Sequence, residues 1–366
     1  MTLRASRVTD AAGFAALAGV WGDLAARAGR VSPFLTHEWH ACCWDAVQPD
    51  RRPEVVVISE GQDPVALVPL MSWTQRLRHL PVRTIGFLEA PDSPELDLLS
   101  VAEPRAVVAA LLDHLAARSD WDVLALGKLA PTSPTLKALE EIGPARFALE
   151  RLAPVTSPYL TVSGDWETFF RGRSQRFRKT VRSVQNRLER AGEVTVEEHT
   201  RVDPDSALYR EVVELTRRSW KADRGIAIST MPRMLGFFEA LTRRASERGW
   251  LSLWVLRLDG RLAAMEYQMK AGGVVYALRA DFDEALAALS PGSQLNHLIA
   301  RALFERGAAH EYDMGPGDNE YKLRWSTGLH ERARLRLYAP RLYPRLLRAV
   351  ENRVVPALRA LLGHPR

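Results

Sequence analysis

The chain has 366 residues, of which 46% are hydrophobic and 26% charged, a length that exceeds one ordinary core and predicts two domains of roughly 150 to 180 residues each. No uncharged apolar stretch approaches the ~18 residues of a membrane span. The start MTLRASRVTD lacks the pattern of a secretory signal, and the adjacent Cys42 and Cys43 are poorly placed to bridge, so the expected compartment is the cytoplasm. The net charge of +6 is local: residues 171–190 hold eight Lys or Arg against one Glu, and residues 332–366 hold nine Arg against one Glu. Two basic stripes on an acidic body point to a defined anionic partner at each stripe.

In chain order, residues 54–71 read as a hairpin, followed by a loop rich in turn formers and carboxylates from Asp92 to Asp97. A helix at about 104–118 and the strand WDVLALG from Trp121 come next. Residues 166–190 predict an amphipathic helix with an apolar stripe of Phe170, Phe177, Val181, Val184 and Leu188 between basic shoulders. Then the earlier order returns: a hairpin over 251–269 around Asp259-Gly260, a helix over 292–306, and the strand HEYDMG from His310. The repeat predicts two similar halves, with the loop from Asp92 either lining a cleft between them or lying solvated on the surface. At the end, Leu346, Val350, Val354, Leu358 and Leu361 recur at helical spacing beside arginines, and Pro344 and Pro356 divide the stretch into two short helices. Such a segment suits an anionic membrane surface or docking on its own domain.

Chemistry concentrates in residues 290–325. Pro291 at a first helical turn leaves Ser290, Gly292, Ser293 and Gln294 to offer backbone N–H groups to a phosphate. The corresponding start in the first half, Val101-Ala102-Glu103-Pro104, is acidic and repels one. Asp313 on a half-buried strand is either paired to a cation or a general base with a raised pKa, and Glu266, also within a strand, competes for that role. Lys322 lies between Tyr321 and Trp325, where an ammonium can steer a phosphate or polarise a carbonyl. Asp281 and Asp283, after Arg279, read as loop residues. His37-Glu38-Trp39-His40 lacks the spacing of a zinc protease, and nucleophile-elbow, Walker-type and dinucleotide-binding motifs are missing, so no metal is expected.

Ser290-Pro291-Gly292, Asp313, Tyr321-Lys322, the run Arg217-Arg218-Ser219-Trp220-Lys221 before Gly225, and the arginine-rich helix occur in one order. In these the chain resembles, over roughly residues 30–330, the GNAT-type acyltransferases associated with cellulose and exopolysaccharide biosynthesis. It is more distantly similar to the Fem-type peptidoglycan-bridge aminoacyltransferases. The resemblance implies an α/β fold of mixed sheets in tandem GNAT-like domains: a degenerate N-terminal one (1–155), an acyltransferase domain (156–332) and a basic tail (333–366). It implies acetyl-CoA or a longer acyl-CoA as donor, and an amine or hydroxyl of an amino sugar, polysaccharide precursor or lipid amine as acceptor. The implied site has Asp313, Glu266, Tyr321 and Lys322 as catalytic candidates, Ser290, Gly292, Ser293 and Gln294 on the coenzyme, and Trp220, Lys221, Arg279 and Trp325 on the substrate. Two alternatives stay open: a Fem-like enzyme drawing on aminoacyl transfer RNA, and a non-catalytic binding protein of a surface-polysaccharide pathway.

Overall fold

The computed structural model describes residues 3–77 and 79–351. Its strands are β1 (Leu3–Val8), β2 (Arg52–Glu60), β3 (Asp63–Leu77), β4 (Leu80–Phe87), β5 (Leu99–Ser100), β6 (Val123–Leu129), β7 (Ala148–Thr161), β8 (Val194–His199), β9 (Leu251–Leu258), β10 (Arg261–Ala271), β11 (Val274–Phe282), β12 (Glu311–Asp313) and β13 (Gly328–Tyr338). All join one mixed sheet in the order β1-β2-β3-β4-β6-β13-β7-β12-β11-β10-β9-β8, with β5 beside β3. The expected hairpins are β2–β3 and β9–β10. The second turns on Asp259 and Gly260, whose φ angles of 50° and 75° are the positive pair that a two-residue turn requires.

The predicted duplication is present. In each half a fourth antiparallel strand is followed by a helix and a parallel strand: β4 runs parallel to β6, and β11 parallel to β12. A parallel pair needs a crossover, which the helices Pro104–Ala116 and Pro291–Arg306 supply. The final strand of each half is exchanged. β7 pairs with β12 of the second half, β13 pairs with β6 of the first, and β7 and β13 lie antiparallel from Gly328↔Tyr159 to Tyr338↔Ala148.

This exchange alters the expected organisation. Positions 155 and 332 fall inside β7 and β13. Residues 333–338, expected in the tail, close the first-half core instead, where Leu335 and Leu337 pack with Leu124 and Leu126. Arginines alternate with these apolar residues, which is the period of a strand with one solvated face. The helix Leu342–Ala349 follows, with Pro344 in its first turn rather than interrupting it. Val354, Pro356, Leu358 and Leu361 lie outside the described residues.

The predicted helix over 166–190 is two helices, Trp166–Arg171 and Gln175–Ala191, because Ser174 Oγ accepts the Phe177 N–H at 3.2 Å and starts a new one. Its buried Val181, Val184 and Leu188 face inward, as the stripe requires. The loop from Asp92 is a strap between the halves rather than a solvated loop. Asp92 pairs with Arg279 at 3.3 Å, and Glu95 with Arg332 at 3.1 Å. Asp97 reaches Arg30 and Ser133, both at 2.9 Å. Among the described residues no helix is long and apolar enough to cross a membrane.

Candidate active site

β12 ends at Asp313 while its neighbour β11 continues to Phe282, so the sheet opens beside the second part of β11. The chain returns along this gap at Gly315, where a Cβ would stand 2.6 Å from the Ala277 carbonyl oxygen and where φ is 75°; only glycine fits there. Beyond it lies a cavity of about 480 Å³. Ser290, Gly292 and Ser293 from the helix start meet Glu266, Arg279, Trp220, Lys221, Tyr321 and Lys322 on its wall, and Asp92 reaches it from the first half. Three expected site residues stay off that wall: Asp313, Gln294 and Trp325.

At the helix start, fewer backbone groups are available than the sequence suggests. The Ser290 N–H donates to Ala287 at 3.0 Å, and those of Ser293 and Gln294 donate to the Ser290 carbonyl at 3.1 and 3.2 Å. Gly292 therefore holds the N–H left for a ligand among the described residues. Ser290 has a φ of 57° and its side chain makes no capping bond, so the positive end of the helix dipole faces the cavity uncapped. A Cβ at Gly292 would meet Phe282 Cδ1 at 3.5 Å, an ordinary contact, so steric need does not account for glycine here. Such an opening suits an anionic group.

The two competing carboxylates lie on different strands, and on β12 the neighbours Tyr312 and Asp313 face opposite ways. Asp313 is fully buried away from the cavity, receiving Arg332 Nη2 at 2.7 Å and the Gly315 N–H at 2.8 Å. It has the cation that makes a buried carboxylate structural. Its neighbour Tyr312 takes the other side, reaching the cavity and donating its hydroxyl to Glu266. Gln268 Nε2 also donates to Glu266, at 2.7 Å, and Asn296 Nδ2 donates to the Tyr312 oxygen at 3.2 Å. Burial raises the Glu266 pKa above the usual glutamate range, against the opposing hydrogen bonds and the charge of Lys322. A carboxyl so placed can hold a proton at a pH where an exposed one cannot.

Burial also lowers the pKa of Lys322, whose ammonium donates to the carbonyls of Gly315 and Pro316 at 3.1 and 2.9 Å. Lys221 is lowered for the same reason, and Asp281 opposes the shift. Asp281 is no loop residue: it lies near the end of β11, accepts from Ser219 Oγ at 2.7 Å and pairs with Lys221 and Arg279. Asp283 pairs with Arg218 and Arg261. Trp325 packs with Trp166, Phe170, Phe177 and His297. It lines, with Gln294, a smaller void of about 220 Å³ that shares Ser290, Ser293, Asn296 and Tyr321 with the main cavity. That void shares Thr180 and Arg187 with an open groove along the helix Gln175–Ala191, where Arg176 and Lys179 also lie. No basic side chain of residues 171–190 pairs with a carboxylate among the described residues.

Sequence reasoning missed Asn296, Tyr312 and Gln268. For Asn296 a signal existed, a polar residue within the apolar face of the helix between Leu295 and Ile299.

Residues 175–323 match the family model of an acetyltransferase (GNAT) domain. FemX is similar in structure, with a TM-score of 0.61 and 12% identity over 95% of this chain and 100% of that one. A C-terminal domain assigned to a lysylphosphatidylglycerol synthetase of Agrobacterium fabrum has a TM-score of 0.54 and 14% identity, over 93% of this chain and 96% of that one. A tandem GNAT protein from the clavulanic acid biosynthesis pathway has 0.50 and 14%, over 93% and 100%. No curated protein matches the sequence. The second half thus matches a GNAT domain, and the chain shares the fold of a tandem GNAT protein, with a sheet that the exchanged strands make continuous.

Proposed function

We infer that the chain is an acyltransferase that takes its acyl group from acyl-CoA and works in the cavity of the second half. The observation that carries this is the meeting of an uncapped helix start with a buried carboxylate on one wall. In this reading Gly292 and the helix dipole hold the coenzyme's pyrophosphate, and Glu266 receives the proton leaving the acceptor's amine or hydroxyl. Gln268 and Tyr312 hold that carboxyl in place, and Lys322 and the Tyr321 hydroxyl offer positive charge and a hydrogen bond for the carbonyl oxygen or leaving group. Trp220, Lys221 and Arg279 border the acceptor side. The sequence resemblance suggests an amino sugar, a polysaccharide precursor or a lipid amine as acceptor. Asp313 has a structural part, tying β12 to Arg332 of β13.

The groove of unpaired cations favours a second reading, in which the donor is an aminoacyl transfer RNA whose phosphates follow Arg176, Lys179 and Arg187 towards the cavity. Thermal unfolding separates the two, because a ligand that binds the folded state raises the melting temperature. Stabilisation by acetyl-CoA and not by aminoacylated transfer RNA supports the first reading, and the reverse supports the second. Response to neither, at millimolar coenzyme, would leave a binding protein.

A further inference from the structure

The helix Leu342–Ala349 is fixed to the first half on one side and bare on the other. Pro344 and Leu347 are buried, with Leu347 packed on Val82, Val123 and Tyr338. Tyr343 Oη donates to the Pro81 carbonyl at 2.6 Å, which holds the helix beside the turn joining β3 and β4. On the outer side Leu342 is 75% exposed and Leu346, one helical turn on, 54% exposed; across the Tyr343 contact Leu80 is 39% exposed. Two elements far apart in sequence thus leave leucines exposed on either side of the Tyr343 contact.

The charges around these leucines identify what covers them. Arg345 and Arg348 are exposed and have no carboxylate partner among the described residues, and Arg76 is exposed on β3 beside the turn. From Arg341 to the last residue the sequence holds six arginines against one acid, Glu351. A second copy of the chain, meeting this face through a twofold axis, would bring arginine against arginine. Folding the remaining residues 352–366 over the patch would add three further arginines and no acid to the same rim. An anionic bilayer reverses the sign: the leucines enter the boundary between headgroups and acyl chains while the arginines stay at the level of the phosphates.

We propose that Leu80, Leu342 and Leu346, rimmed by Arg345 and Arg348, form a docking face for an anionic lipid surface. The face is distinct from the cavity, so this inference stands whichever donor the cavity takes. It differs from a general basic tail in including a turn from the first half and in excluding β13, which belongs to the core.

Co-sedimentation of the full chain with vesicles of phosphatidylcholine, with and without phosphatidylglycerol, tests it. Binding is expected only with the acidic lipid and should weaken as salt rises. The pair Leu342→Ser and Leu346→Ser should weaken partitioning about tenfold or more, since each leucine contributes apolar burial. The pair Arg345→Gln and Arg348→Gln should weaken it by roughly tenfold and flatten the salt dependence. Both pairs change exposed side chains and should melt with the wild type, which separates lost docking from lost folding. Indifference of the wild type to acidic vesicles would overturn the proposal, as would binding that survives both pairs. A wild-type dimer in solution that the leucine pair dissociates would assign the face to a second copy and overturn it equally.

Discussion

Two helix starts occupy equivalent places in the two halves and differ at the cap. In the first, the Glu103 carboxylate accepts from the N–H groups of Arg105 and Ala106 at 3.0 and 2.7 Å, so the chain supplies its own anion. In the second, Ser290 turns left-handed, its hydroxyl makes no cap, and the helix end faces a cavity. Of these two starts, only the second is left open to an anion. What the first half contributes to that cavity is a strap, with Asp92 on Arg279, and to the fold beneath it a partner for Arg332 in Glu95. The exchange of β7 and β13 joins the two halves in one sheet.

The largest expected effect tests the division of labour between the second half's carboxylates. Glu266→Gln should lose ~10² to 10⁴ in turnover while retaining donor affinity, and the activity loss on the acid side of the wild-type pH profile should vanish with it. Its stability should also change with a defined sign. Because burial raises the Glu266 pKa, the folded state holds the proton more tightly than the unfolded chain, a stabilisation present at low pH and lost as pH rises through the folded-state value. Glu266→Gln should therefore gain melting temperature over the wild type at alkaline pH more than at acid pH. A variant that retains full turnover would remove Glu266 from the chemistry.

The Asp313–Arg332 pair should behave in the opposite way. Arg332→Met leaves a buried carboxylate unpaired and should cost about 3 to 5 kcal/mol of stability by denaturant unfolding. Asp313→Asn should also melt early, yet keep wild-type turnover per folded molecule. If it instead unfolds like the wild type and loses turnover, the assignments of Asp313 and Glu266 are to be exchanged.

A smaller effect should come from the groove. Reversing charge at Arg176, Lys179 and Arg187 together leaves coenzyme binding within about threefold in the acyl-CoA reading, because exposed charges act weakly through salt. In the transfer-RNA reading it should abolish RNA binding and shrink its salt dependence, with a slope change of about one per lost phosphate contact. Filter binding at several ionic strengths separates these outcomes. The smallest effect is at the closed start: Glu103→Ala should cost about 1 kcal/mol as a lost cap and create no donor binding, since Glu103 is not on the wall of the cavity that holds Glu266 and Lys322.

Much of this comparison was legible in the sequence. The hairpins, the two crossover helices and the contrast between Glu103-Pro104 and Ser290-Pro291 follow from local turn and capping chemistry, which neighbouring residues determine. The strand exchange was not legible. Arg332, Arg334 and Arg336 read as a basic stripe, while Ala333, Leu335 and Leu337 between them carry the period of a strand, and nothing local says that this strand belongs beside β6. The choice between carboxylates depended on it. In the proposed reading Asp313 is structural because it pairs with Arg332, a position that the exchange sets, whereas Glu266 is held by Tyr312 and Gln268.

In this reading each chain has a single donor site, at the start of the helix from Pro291. Titration calorimetry of coenzyme A into the full chain tests it most directly, with Gly292→Asp and Glu103→Ala beside the wild type. One coenzyme should bind per chain, lost in Gly292→Asp because its carboxylate opposes the pyrophosphate where the free N–H lies, and unchanged in Glu103→Ala. No binding by the wild type, two coenzymes per chain, or binding that survives Gly292→Asp would contradict it.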